Sequence, residues 1–115
     1  MKVNILGTDY TMTEERLEEM DGYCDSSVKK IKIDADLNNE PVIGNTKENL
    51  KEYKKKVIRH EIVHAYMEES GASNHDEMHQ ERIVDWIAVM LPKMIKTLSQ
   101  IEDPKNNEEI TQEEN

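Results

Sequence analysis

Short alternations of apolar and polar residues run through the first third of the chain, and this period-2 pattern is typical of β-strands. The strand candidates are residues 1–6, 10–13, 23–24 and 28–33. Residues 25–27, Asp-Ser-Ser, have the composition of a turn between the last two candidates. Residues 13–20 are rich in glutamate and are predicted to form a loop or a single helical turn. The first third therefore predicts a small, mostly antiparallel sheet.

Apolar residues recur at helical spacing in the middle of the chain. They are Leu50, Tyr53, Val57, Ile58, Ile62, Ala65 and Tyr66. Asn45 followed by Glu48 has the form of a capping box, and Gly71 is a helix stop signal. We therefore expect a polar loop over residues 34–45 and a helix over residues 47–70. Because its central turns are apolar on more than one side, this helix should lie in the middle of the fold.

A second apolar stripe follows a polar connection at residues 71–76. It consists of Val84, Ile87, Ala88, Leu91, Met94, Ile95 and Leu98. The stripe predicts a helix over residues 77–99. Pro92 lacks a backbone donor and clashes with the preceding turn, so we expect a kink or break near Leu91. The predicted class is α+β, with a small sheet packed on two core helices.

Composition restricts the possible partners. The chain has 115 residues, of which 35% are charged, and its net charge is −10, which argues against nucleic acid or an anionic membrane as a partner. No apolar run approaches the roughly 20 residues of a membrane span. Cys24 is the only cysteine, which excludes an internal disulfide and a cysteine-based zinc cluster. We expect one domain over residues 1–101, an acidic disordered tail over residues 102–115, and a cytoplasmic location.

The strongest chemical signal is the motif H-E-x-x-H, formed by His60, Glu61 and His64 within the first predicted helix. Residues four positions apart lie on one helix face, so both imidazoles can direct a nitrogen at one zinc ion. Glu61 is adjacent to the first histidine and can reach a bound water without ligating the metal. Burial of two histidines and a glutamate at an apolar helix centre would be energetically costly without a bound metal ion.

A catalytic zinc site needs a third protein ligand and an open fourth position. The candidates are His75, Asp76, Glu77, His79, Glu81 and Asp85. A metzincin is excluded, because Ser70 stands where its third histidine would be. Glu81 and Asp85 are the favoured pair, since they lie one helical turn apart beside the apolar stripe. Glu81 would ligate the metal, and Asp85 would accept the outer N–H of a zinc-bound histidine.

The combination of His60-Glu61-x-x-His64 with Glu81-x-x-x-Asp85 resembles the gluzincin pattern. That resemblance implies the same two roles, with Glu81 as a zinc ligand and Asp85 as a residue that supports the metal site without ligating the zinc. Residues 81–92, ERIVDWIAVMLP, are similar to a segment of the ImmA/IrrE-type metallopeptidases, and the chain also resembles short zinc peptidases of phages and prophages. Val84 and Asp85 depart from the Ala and Asn usual in the ImmA/IrrE pattern, and no DNA-binding module accompanies them.

The expected function is a zinc endopeptidase in which Glu61 is the general base and the substrate is a protein or peptide. The resemblance suggests a regulatory or repressor protein in a phage or mobile-element setting as that substrate. Residues 28–33 are the candidate edge strand for binding it, with an interior strand as the alternative. Two other functions remain open: a non-hydrolytic zinc module closed by His75 or His79, and an interaction protein with a decayed site.

Overall fold

A computed structural model describes residues 1–37, 50–103 and 105 of the chain. Four strands precede two long helices: β1 (Lys2–Ile5), β2 (Thr8–Glu15), β3 (Gly22–Asp25), β4 (Lys30–Asp34), α1 (Leu50–Ser70) and α2 (Glu81–Glu102). A short 3₁₀ helix, Ala72–Asn74, lies between the two α-helices. This arrangement confirms the α+β class, with a small sheet that packs on α1 and with α2 packed against α1. The predicted capping box of Asn45 and Glu48 lies outside the described residues.

The four strands form one mixed sheet in the order β1-β2-β4-β3. The pairs β1–β2 and β3–β4 are antiparallel, whereas β2 and β4 run parallel. Two of the three pairings are therefore antiparallel, as expected. The interpretation of residues 28–33 as an edge strand is wrong, because β4 lies between β2 and β3. The strand at that edge is β3.

The second strand is longer than its apolar pattern predicts. Residues 13–15, assigned to a loop or helical turn, continue β2 along β4 as far as the pair Glu15 and Asp34. The polar side chains there are held by cross-strand charge pairing, since Lys32 Nζ lies 2.9 Å from Glu15 Oε2. A glutamate-rich sequence is therefore compatible with a strand at this position.

Helix α1 lies between the sheet and α2, as its apolar pattern predicts. A first core cluster joins the sheet to α1, and its buried members are Ile5, Tyr10, Ile31, Ile33, Leu37, Val57 and Ala65. A second cluster joins α1 to α2 through Val63, Met67 and Val84. None of the helices in the described ranges is both long and apolar enough to cross a membrane.

A polar cluster fixes the end of α1 to the sheet. Glu69 Oε1 accepts hydrogen bonds from Tyr10 Oη at 2.8 Å and from Lys29 Nζ at 2.7 Å. Thr8 Oγ1 lies 3.4 Å from the other carboxylate oxygen. The hydrogen bond from Lys29, followed by that from Tyr10, holds the pKa of Glu69 below its ordinary value. The last turn of α1 is thereby held on the sheet.

Helix α2 differs from the prediction at both ends. It begins at Glu81, four residues later than expected, because residues 71–80 form the 3₁₀ helix and a turn. It ends at Glu102, which we assigned to the tail. Residue 104 and residues 106–115 lie outside the described residues, so the prediction of a disordered tail is not tested there.

Of the predicted kink or break near Leu91, the break is wrong, since α2 continues through Pro92. Proline cannot donate to the carbonyl four positions earlier, which is that of Ala88. Arg59 of α1 supplies the missing donor: its Nε lies 2.7 Å from the Ala88 carbonyl oxygen. The interruption in the helix is thus compensated from the neighbouring helix.

Candidate metal centre

Two histidines of α1 face the first residue of α2. His60 and His64 are one helical turn apart, and each directs its Nε2 atom at the Glu81 carboxylate. The distances are 2.9 Å from His60 Nε2 to Glu81 Oε2 and 2.9 Å from His64 Nε2 to Glu81 Oε1. The three potential ligand atoms all lie within 4.8 Å of one another. This group could hold a metal ion.

The donor set fits a small divalent cation. Ligand atoms around a tetrahedral ion with bonds of about 2.0–2.2 Å are roughly 3.4 Å apart, close to the spacing in this group. Two imidazoles and one carboxylate leave a fourth position for water or substrate. Glu81 is exposed, whereas His60 and His64 are each about four-fifths buried or more on their side chains. The ion would therefore lie at the surface of the helix pair, accessible from one side.

Asp85, the predicted support, lies behind His60. Its Oδ1 atom is 3.6 Å from His60 Nδ1 and 3.1 Å from Lys56 Nζ. The distance to His60 is that of an ion pair and is too long for a hydrogen bond. Lys56 is therefore the closer of the two partners, a contact that the sequence pattern did not predict.

His79 contacts the site from the connection before α2. Its Nε2 atom lies 2.9 Å from His64 Nδ1, on the side of the ring that faces away from Glu81. His79 thus supports His64 from behind and is not part of the group of three ligand atoms. The sequence offered only a weak signal for this role, namely a histidine two residues before the predicted third ligand.

Glu61 is buried beside this group, with only 7% of the residue exposed. Burial raises its pKa to about 7; the charge of His60 opposes this shift and the charge of Glu81 adds to it. Burial likewise lowers the pKa of His64. Both residues therefore occupy surroundings that disfavour their charged forms.

Glycine at position 22 allows β3 to approach Glu61 closely. A Cβ atom added there would lie 3.3 Å from Glu61 Cγ and 3.1 Å from the Lys32 carbonyl oxygen. Together β3 and α1 form the walls of a cleft of about 400 Å³. Its lining includes Gly22, Tyr23, Cys24, His60, Glu61, His64, Glu68, His79 and Glu81. The candidate ligands and Glu61 therefore share one cleft with an edge strand.

Cys24 is half-buried in this wall. Burial, with a smaller contribution from the charge of Glu61, raises the pKa of its thiol to about 12. A thiol with so high a pKa stays protonated and makes a poor nucleophile at neutral pH. This agrees with a structural role for Cys24.

The chain matches no family model, and comparisons with curated proteins and with solved structures likewise found no match.

Proposed function

We propose that the protein is a zinc-dependent endopeptidase that hydrolyses peptide bonds in a protein substrate. The observation that supports this most strongly is the convergence of His60, His64 and Glu81 beside the buried Glu61. Glu61 is not one of the three candidate ligands, and a purely structural metal site would have no use for a buried carboxylate there. A zinc ion held by the three ligands would polarise the scissile carbonyl and provide an activated water.

In this proposal Glu61 is the catalytic residue. Its carboxylate accepts a proton from the attacking water and later returns that proton to the departing amine. His60, His64 and Glu81 hold the metal, while Asp85 and His79 orient the two imidazoles from behind. The fixed orientation of these side chains reduces the reorganisation that the reaction requires.

Strand β3 is the proposed binding surface for the peptide. It pairs with β4 on one side, and Gly22, Tyr23 and Cys24 line the cleft that contains Glu61. An extended peptide can add to the edge of a sheet through main-chain hydrogen bonds. We therefore expect the substrate to be an extended or locally unfolded segment, because a folded surface would not fit this edge.

The substrate class rests on the resemblance alone. The similarity of residues 81–92 to the ImmA/IrrE-type metallopeptidases, and of the chain to small phage peptidases, supports a regulatory protein such as a repressor as the substrate.

The proposal is tested with Glu61→Gln and His64→Ala beside the wild type. Wild-type protein should contain about one zinc per chain by elemental analysis, and His64→Ala should lose it. General-base assistance is worth about 10²–10⁴ in rate, so Glu61→Gln should lose this factor in cleavage of unfolded protein substrates while it retains zinc and melting temperature. Chelation should abolish wild-type cleavage, and added zinc should restore it.

Three results would contradict the proposal. If Glu61→Gln loses zinc or unfolds, Glu61 has a structural role. If wild type and His64→Ala contain equal zinc, the metal is bound elsewhere. A wild-type protein with four protein ligands around its zinc would instead support the non-hydrolytic zinc module.

A further inference from the structure

The apolar stripe of α2 continues beyond the part of the helix that α1 covers. Its residues follow the alternating 3-4 spacing of a heptad seam: Val84, Ile87, Leu91, Met94, Leu98 and Ile101. The beginning of this seam is in the core, where Val84 is fully buried against Val63 and Met67 of α1. From Leu91, which is 37% exposed, to Ile101, which is 62% exposed, it faces solvent within the described part of the structure.

We define the exposed section as the α2 stripe. It comprises Leu91, Met94, Ile95, Leu98 and Ile101. These residues expose roughly 500 Å² in total, which is comparable to the largest apolar patch on a typical monomer, about 300–600 Å², and such patches commonly mark interaction sites. Burial of the stripe would therefore have a substantial energetic advantage.

The charges near the α2 stripe permit close approach of a similar helix. Residues 90–101 contain two lysines and no acidic residue, although the chain as a whole carries a net charge of −10. In the heptad that the seam defines, Lys93 and Lys96 occupy the outer positions, and the positions that flank the seam hold Met90, Ile95 and Thr97. No charged side chain therefore lies at the contact positions of residues 90–101.

We propose that the α2 stripe pairs with the α2 stripe of a second copy of this chain, in an antiparallel dimer. The 3-4-3 spacing reads the same in both directions, so a two-fold axis perpendicular to the helices brings equivalent seam positions together in an isologous contact. A two-fold axis near residue 96 places Leu91 opposite Ile101 of the second copy, and Met94 opposite Leu98. Complete burial of both stripes would remove at most about 1,000 Å² in total, which is near the lower limit for a biological interface.

A second copy explains the stripe better than an anionic membrane does. Membrane-bound amphipathic helices carry many lysines and arginines on their polar face, whereas this section of α2 carries two. The net charge of −10 would also repel anionic lipid headgroups. The candidate metal centre lies at the beginning of α2, so the dimer does not depend on the proposed peptidase activity.

Sedimentation equilibrium of the full chain tests the dimer, with matched variants at two similarly exposed residues. Leu98 and Val28 are 51% and 55% exposed, and Val28 lies in the turn between β3 and β4. Wild type and Val28→Glu should be dimeric, and Leu98→Glu should be monomeric with an unchanged circular dichroism spectrum and metal content.

A charge-complementation experiment tests the antiparallel register. Met94→Lys alone should be monomeric, but a mixture of Met94→Lys with Leu98→Glu should form a heterodimer, because the new lysine faces the new glutamate. A monomeric wild type would overturn the proposal, as would a dimeric Leu98→Glu, a monomeric Val28→Glu or a mixture that remains monomeric. Wild type that is monomeric but sediments with phosphatidylserine vesicles would overturn it in favour of a membrane contact.

Discussion

At the scale of single residues, Glu61 and His64 occupy surroundings in which burial disfavours their charged forms. Glu61 is buried in the centre of α1, and burial raises its pKa to about 7. An apolar residue would pack there without this cost, because a buried carboxyl group without compensation is unfavourable. The burial of Glu61 beside the three candidate ligands is what the proposed general-base role would require, since packing alone does not require a carboxyl group there.

The proposed support of His60 by Asp85, whose Oδ1 lies 3.6 Å from His60 Nδ1, gives the first prediction. Asp85→Asn removes the charge next to His60 Nδ1 and should lower zinc affinity by about 10–100-fold with the fold retained, because such support orients the imidazole and raises its basicity. Competition with a chromophoric chelator measures the change. Asp76→Asn is the control and should bind zinc as the wild type does. Unchanged affinity in Asp85→Asn would limit Asp85 to its ion pair with Lys56.

His79 leads to the second prediction. When His64 ligates a metal through Nε2, its proton resides on Nδ1 and is donated to His79 Nε2, 2.9 Å away. His79→Ala removes this acceptor and should weaken zinc binding by about 10–100-fold, whereas His79→Gln retains a carbonyl acceptor and should lose less. Zinc affinity of the two variants is compared with that of His75→Ala, which should match the wild type. Equal losses in the Ala and Gln variants would refute a hydrogen-bonding role.

Helical periodicity predicted that His60 and His64 share one face of α1, because they lie four residues apart. Glu81 lies on the other helix and was predicted from its spacing to Asp85 beside the apolar stripe, together with the gluzincin resemblance. The sequence could not place His79 or Lys56 in the same way. The position of His79 depends on the backbone path of residues 71–80, which form a 3₁₀ helix and a turn. The contact of Lys56 with Asp85 depends on how α1 and α2 are packed together, and neither pattern contains that information.

At the scale of secondary structure elements, local patterns located the strands and helices but not all of their neighbours. The position of β4 between β2 and β3 follows from the parallel pairing of β2 with β4. Because parallel strands are not joined by a tight turn, no turn sequence indicates this pairing. The continuation of β2 through residues 13–15 depends on that same pairing. Helix α2 passes through Pro92 because α1 contributes the guanidinium of Arg59. These three differences from the prediction therefore concern non-local interactions, whereas the later start of α2 reflects the local turn at residues 71–80.

A double-mutant cycle tests the role of Arg59, which is the third prediction. Arg59→Ala leaves the buried Ala88 carbonyl without this donor and should reduce the free energy of unfolding by about 1–3 kcal/mol. Pro92→Ala restores a backbone N–H for that carbonyl, so removal of Arg59 in this background should cost less. Urea denaturation of all four proteins measures the coupling.

The matched control for the cycle is Lys55→Ala, which removes an exposed cation of the same helix. It should change stability by no more than about 0.5 kcal/mol, as is usual for surface substitutions. If the loss from Arg59→Ala is equal with Pro92 and with Ala at position 92, Arg59 acts by packing or charge and not as the substitute donor.

At the scale of the whole molecule, α1 is shared by two core clusters, and the candidate metal centre lies where β3, α1 and the beginning of α2 meet. A metal bound to His60, His64 and Glu81 would connect the two helices directly. Because such binding favours the folded form, metal loss should lower stability as well as activity. The α2 stripe extends beyond this centre, and in our proposal it forms the dimer contact.

Deletion of residues 103–115 is the last prediction, and it separates the folded body from the acidic tail. The deleted segment contains one aliphatic residue, Ile110, so it offers little apolar surface to bury. Its loss should leave the melting temperature and zinc content close to those of the wild type. Five acids and one lysine are removed, which changes the net charge from −10 to −6 and lowers the repulsion between copies. Since the α2 stripe ends at Ile101, sedimentation should show the dimer retained or strengthened; a large fall in melting temperature would instead show that the tail packs on the body.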